Sequence, residues 1–130
     1  MSVKRVSGII KIFIVEDDRS LRLLYEKALN LNGYKVVASA ENGVDAVNIF
    51  KNISEKPDII LMDHRMPLKN GVEAAKEILE IDSSIKIIFV SADNTIKEEA
   101  LSKGVISFKD KPFSLQRLFN NIEKAMQIIL

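Results

Sequence analysis

The chain has 130 residues, 47% of them hydrophobic, enough for one domain with a proper core and too few for a second. Its 19 Lys and Arg are matched by 18 Asp and Glu, so no global basic field argues for nucleic acid, and any acidic site must be local. Cysteine is absent, which removes disulfides, thiolate metal sites and cysteine nucleophiles together and fits an expected cytoplasmic setting. Lys4 and Arg5 precede an apolar stretch. Lys11 interrupts it, acids follow it and no small-residue cleavage site appears, so we expect neither an export signal nor a membrane span.

After a tail over residues 1–8, apolar runs alternate with helical patterns to the end of the chain, a sign of beta-alpha units feeding a parallel sheet. The runs fall at residues 9–15, 34–39, 58–62, 85–91 and 105–108. The first, third and fourth are nearly continuously apolar, as central strands covered on both faces should be; the second and fifth are shorter or more polar and are placed at the edges. Leu21, Leu24, Tyr25, Ala28 and Leu31 mark a first helix stopped by Asn32-Gly33. Val47, Phe50 and Ile53 mark a second, opened by Asn42 and Gly43 and closed before Pro57. A third carries Val72, Ala75, Ile78 and Leu79 behind Asn70-Gly71. The fourth has only Ile96, Ala100 and Leu101 as its stripe, so thin packing and the greatest mobility are expected there. Ser114 is the expected N-cap of a fifth helix, whose stripe is Leu115, Leu118, Phe119, Ile122, Ala125, Met126 and Ile129. Ile128 and Leu130 fall off that stripe and are read either as a turn tucked against the body or as a partner or dimer contact.

Charge is concentrated where these runs end. Glu16-Asp17-Asp18 follows Ile12-Phe13-Ile14-Val15, Asp63 follows Ile59-Ile60-Leu61-Met62, and Lys111-Pro112-Phe113 comes shortly after the fifth run. Carboxylates at strand ends lie side by side only if the strands are parallel neighbours. Several acids and one lysine at one sheet edge suggest a divalent cation, with Lys111 balancing the acids. Asp18 suits the N-cap or first turn of the first helix. His64 is the only histidine, which rules out a multi-histidine metal centre; it reads as a solvated or packed loop residue.

With these motifs in this order, nearly all of the chain after the tail, residues 9–130, resembles a receiver domain of a two-component response regulator. The resemblance implies a flavodoxin-like, doubly wound α/β fold: a five-stranded parallel sheet of order 2-1-3-4-5 with five helices. It implies that Asp63 takes a phosphoryl group from a histidine kinase or a histidine phosphotransfer protein and holds it as an acyl phosphate. It also implies a magnesium ion held by Asp17, Asp63 and the main-chain carbonyl of Arg65, with Glu16 acting through a bound water. By the same resemblance Lys111 neutralises the phosphoryl charge, Ser91 donates a hydroxyl to it, Phe108 turns inward in response, and the Lys111-Pro112 peptide is cis. Phe108 reads equally well as a permanent core aromatic. Arg65 and Asp93, two positions after Asp63 and Ser91, could bridge over the site and modulate loss of the phosphoryl group. The implied output is a change in the surface of the fourth helix, fifth strand and fifth helix. A downstream effector protein and a phosphorylation-dependent dimer are the expected partners, with no direct contact to nucleic acid or membrane.

Such a chain is a signalling switch that assists its own phosphorylation and dephosphorylation, not a conventional enzyme. It is expected to be either a stand-alone relay or adaptor or a receiver excised from a longer protein. Three other readings compete. A magnesium-dependent aspartyl-phosphate phosphatase or phosphotransferase of the haloacid dehalogenase type would place a second Asp two positions after the nucleophile, where this chain has Arg65. A flavin or nucleotide module would need a glycine-rich phosphate loop after the first strand, where Glu16 to Arg19 stands instead. A degenerate receiver would never be phosphorylated, yet every required residue type is present.

Overall fold

A computed structural model describes residues 8–91, 95, 97–102, 107–110 and 114–127, with main chain alone at 91, 100 and 107–110. The elements alternate throughout: β1 (Lys11–Val15), α1 (Arg19–Leu31), β2 (Lys35–Ala40), α2 (Gly43–Asn52), β3 (Ile59–Met62), α3 (Gly71–Ile81), β4 (Lys86–Ser91), α4 (Lys97–Ser102), β5 (Ser107–Asp110) and α5 (Leu115–Ala125). The strands form one parallel sheet of order β2-β1-β3-β4-β5, as expected, with the chain reversing direction across the sheet at β1.

The near-continuous hydrophobicity of the central strands follows from burial on both faces. Phe13, Val15, Ile60, Met62, Ile87 and Phe89 face one way and pack with Val47 and Phe50 of α2 and Val72, Ala75 and Ile78 of α3. The alternate residues Ile12, Ile14, Ile59, Leu61, Ile88 and Val90 face the other way, against Tyr25 and Leu29 of α1 and Leu118, Ile122 and Ala125 of α5. Edge strand β2 is only half-buried along most of its length. Polar side chains start α1, α2, α3 and α5. Asp18 accepts from Leu21 N, Asn42 from Asp45 N and Ser114 from Arg117 N, while Asn70 and Glu73 form a reciprocal capping box.

Several details depart from the sequence expectation. Ile9 lies before β1 and is exposed, although Ile10 is buried. On α1, Leu24 and Leu31 were expected inward but are 50% and 75% exposed. The inward face runs through Leu21, Tyr25, Ala28 and Leu29, and both leucines sit about a quarter turn away from its centre. On α4 the side chains of Lys97, Glu98, Glu99, Leu101 and Ser102 are all exposed, in keeping with the thin stripe expected of it. The tail up to residue 7, Ile96, Val105, Ile106, Ile128, Ile129 and Leu130 lie outside the described residues.

Candidate functional site

The site forms at the C-terminal edge of the sheet, where β1 and β3 run side by side with Val15 opposite Met62. Each strand is prolonged by one further main-chain hydrogen bond. Glu16 N donates to Ala40 O at 3.0 Å, and Asp63 N donates to Val15 O at 2.9 Å. Glu16 and Asp63 therefore stand on neighbouring strands at the same level, and both are buried, at 2% and 7% exposure. Asp17, one residue on, is exposed, and one carboxylate oxygen from each of Glu16, Asp17 and Asp63 falls within 4.8 Å of the others.

Three converging carboxylates with no sulfur or imidazole among them form a donor set for a hard cation. Burying two of them side by side is unfavourable while both are ionised, and a cation relieves that repulsion. The residues present therefore fit a metal site. Other local contacts fix the carboxylates further. Glu16 Oε2 accepts from Asp18 N at 3.2 Å, and Asp63 Oδ1 accepts from His64 N at 2.8 Å. Asp18 itself faces away as the α1 cap, with Oδ1 accepting from Leu21 N at 3.1 Å.

The loop from β3 to α3 folds back on Asp63. Gly71 N donates to His64 O at 2.9 Å, and a β-carbon at Gly71 would stand 2.1 Å from Asp63 O. Only glycine permits that approach. The same loop is tied to α2, because Gly43 N donates to Lys69 O at 3.1 Å, and Lys69 in turn pairs with Glu77. Leu68, at the loop tip, has φ 70° and is 80% exposed. His64 is half-buried: its ring lies 6.4 Å from that of Phe89, and among the described residues its buried Nδ1 has no hydrogen-bond partner. Arg65 is exposed in this loop.

Tyr25 marks the α1 stripe in the sequence, and in the fold its phenol lies within the field of the site. Burial first, then the negative charges of Glu16 and Asp63, push its pKa well above the ordinary tyrosine range. No sequence signal marks this, since the spacing of Tyr25 fits a helix stripe equally well. Ser91 is the last residue of β4, and Phe108 lies in β5 with its Cα paired with Phe89. Their side chains, together with Asp93, Lys111 and Pro112, lie outside the described residues.

Comparison with known proteins bears on this geometry directly. Residues 12–123 match the family described as the response regulator receiver domain. The chemotaxis protein CheY of Bacillus subtilis is 38% identical over 118 residues, which cover 89% of this chain and 97% of that protein. CheY of Thermotoga maritima is 37% identical, with 88% and 96% covered. Among solved structures, the response regulator domain of Thermotoga maritima CheB superimposes with a TM-score of 0.83 at 30% identity, covering 94% of this chain and 99% of that one. The response regulator TrrA of the same organism, solved in complex with Mg(2+)-BeF, gives 0.81 at 28% identity, covering 90% and 99%. Strand order, the paired acids after β1 and the aspartate after β3 agree with a match that spans most of the sequence, and the chain belongs to the response regulator receiver domain family.

Proposed function

We propose that this chain is a phosphoacceptor of a two-component phosphorelay, with Asp63 as the residue that carries the phosphoryl group. The observation that carries the reading is the convergence of Glu16, Asp17 and Asp63 within 4.8 Å at the sheet edge. A carboxylate oxygen of Asp63 attacks the phosphorus of a phosphohistidine on a histidine kinase or histidine phosphotransfer protein. The phosphorus–nitrogen bond breaks, its electron pair stays on the imidazole, and that nitrogen takes up a proton. Asp17, Asp63 and the Arg65 carbonyl would hold Mg2+ directly and Glu16 through water; the ion, when bound, offsets charge on the transferring oxygens. TrrA, a relative solved with Mg(2+)-BeF, supports this choice of ion.

Lys111 neutralises the same charge and Ser91 donates a hydroxyl to it, with Phe108 following Ser91 inward. That coupling would carry the state of Asp63 to the surface of α4, β5 and α5, where a downstream effector protein or a second copy binds. Arg65 and Asp93 would limit water access to the acyl phosphate. Residues 9–130 form the receiver unit after a short tail, in a cytoplasmic setting. No helix among the described residues is long and apolar enough to cross a membrane.

The test is incubation with acetyl phosphate and Mg2+, followed by phosphate-affinity electrophoresis. The parent chain should shift, chelation should abolish the shift, and Asp63→Asn should remain unlabelled with an unchanged circular dichroism spectrum. A parent that stays unmodified by acetyl phosphate and unaltered by beryllofluoride would leave only the degenerate receiver.

A further inference from the structure

Arg22 lies one turn into α1, its own N–H bonded to the carbonyl of the Asp18 cap at 2.9 Å. Its side chain is only 14% exposed and turns back toward the sheet edge, where Nη1 donates to Glu16 O at 2.7 Å. Nη2 lies 3.9 Å from Glu41 Oε2, on the loop after β2. The Glu16–Nη1 bond has the short length of a charge-assisted hydrogen bond.

The acceptor is half of the peptide that joins Glu16 to Asp17. Glu16 is otherwise well held, by the bond of its own N–H to Ala40 O and by the contact of its Oε2 with Asp18 N. Asp17 is exposed, and among the described residues its side chain has no hydrogen-bond or ion-pair partner. Its carboxylate joins those of Glu16 and Asp63 from a peptide plane that Arg22 grips at the Glu16 carbonyl. We propose that Arg22 is a positioning residue for the cation site, orienting the Glu16–Asp17 peptide and through it the Asp17 carboxylate. The inference rests on the cation-binding reading of these acids.

The sign of one measurement separates positioning from simple charge balance. A guanidinium bonded to the main chain of the cation site repels an incoming cation, so a residue serving only as counter-charge would tighten Mg2+ binding when removed. A residue that orients a ligand would weaken binding when removed, and such outer partners typically matter by about 10-fold or more.

The experiment is calorimetric Mg2+ titration of the whole chain, with amide NMR shifts of Asp17 recorded in metal-free buffer. Arg22→Met keeps the buried stem and removes both charge and donors. It should raise Kd by about 10-fold and shift the Asp17 amide before any metal is added. Arg22→Lys keeps the charge but not the planar reach, and should fall between the two. Parent affinity or tighter binding in folded Arg22→Met overturns the proposal. If Arg22→Met does not fold, Arg22→Lys is held to the same threshold, because its charge is unchanged. A parent chain that takes up no Mg2+ overturns the site reading itself.

Discussion

The carbonyl oxygen of Asp63 occupies the space that a side chain on Gly71 would need: an added β-carbon would meet it at 2.1 Å. The nearest alternative neighbours, Phe89 Cε1 at 2.7 Å and His64 Cα at 2.8 Å, leave no direction for relief. Gly71→Ala should therefore cost about 1–3 kcal/mol of stability, read as a lower urea midpoint. It should also slow labelling by acetyl phosphate, because the strain is relieved through the main chain of Asp63. Full stability in this variant would show that the loop can move away at no cost.

Tyr25 gives an optical handle on the site. Burial first, then the Glu16 and Asp63 carboxylates, hold its phenol above the ordinary 10.0. A raised folded-state pKa stabilises the fold below the unfolded value and loses that contribution as pH rises through the folded one. Ultraviolet titration should show a late phenolate step that Tyr25→Phe removes. Asp63→Asn should bring that step to lower pH by removing one of the two carboxylates; an identical titration in the parent and in Asp63→Asn would sink the link to the site.

At the far end of the sheet, Asp82 supplies an acid-side counterpart. The Ser84 hydroxyl at 2.6 Å and then its N–H at 2.9 Å lower the Asp82 pKa below the ordinary 3.8. A depressed pKa stabilises the fold above the unfolded value and loses the effect as pH falls through the folded one. Asp82→Asn should cost about 0.5–1 kcal/mol at neutral pH. The gap from the parent should close in acid below 3.8. A gap independent of pH would mean that the charge is not what Ser84 recognises.

Leu68 is the one described non-glycine residue at positive φ, and its side chain is 80% exposed. A β-substituted residue pays steric strain in that region, and asparagine tolerates it better. Leu68→Asn should gain roughly 0.5–1 kcal/mol, measured by denaturant unfolding. A loss instead would indicate that Leu68 makes a contact worth more than the strain.

Much of the fold and the acid set was legible in the sequence, and for a physical reason. Ile59 to Met62 is buried on both faces, so its run is unbroken, and the residue that ends it must emerge at the sheet edge. The same reasoning reached Glu16 and Asp17. It failed on α1, where Leu24 and Leu31 compete with Tyr25 and Leu29 for one stripe through Ala28, and only packing decides between them. Arg22, Gly43 and Gly71 could not be read as site residues. Their roles come from main-chain carbonyls brought close by the fold, and those carbonyls carry no side-chain signature.

The main-chain bonds that prolong β1 and β3 by one residue also have a kinetic meaning. Because Glu16 N and Asp63 N are donors in the central sheet, their amides should exchange with solvent as slowly as those of Ile14 and Leu61. Two of the three acids would then stay in register through every partial opening short of global unfolding. The loops around them could breathe, or diverge in sequence, without dispersing the pair.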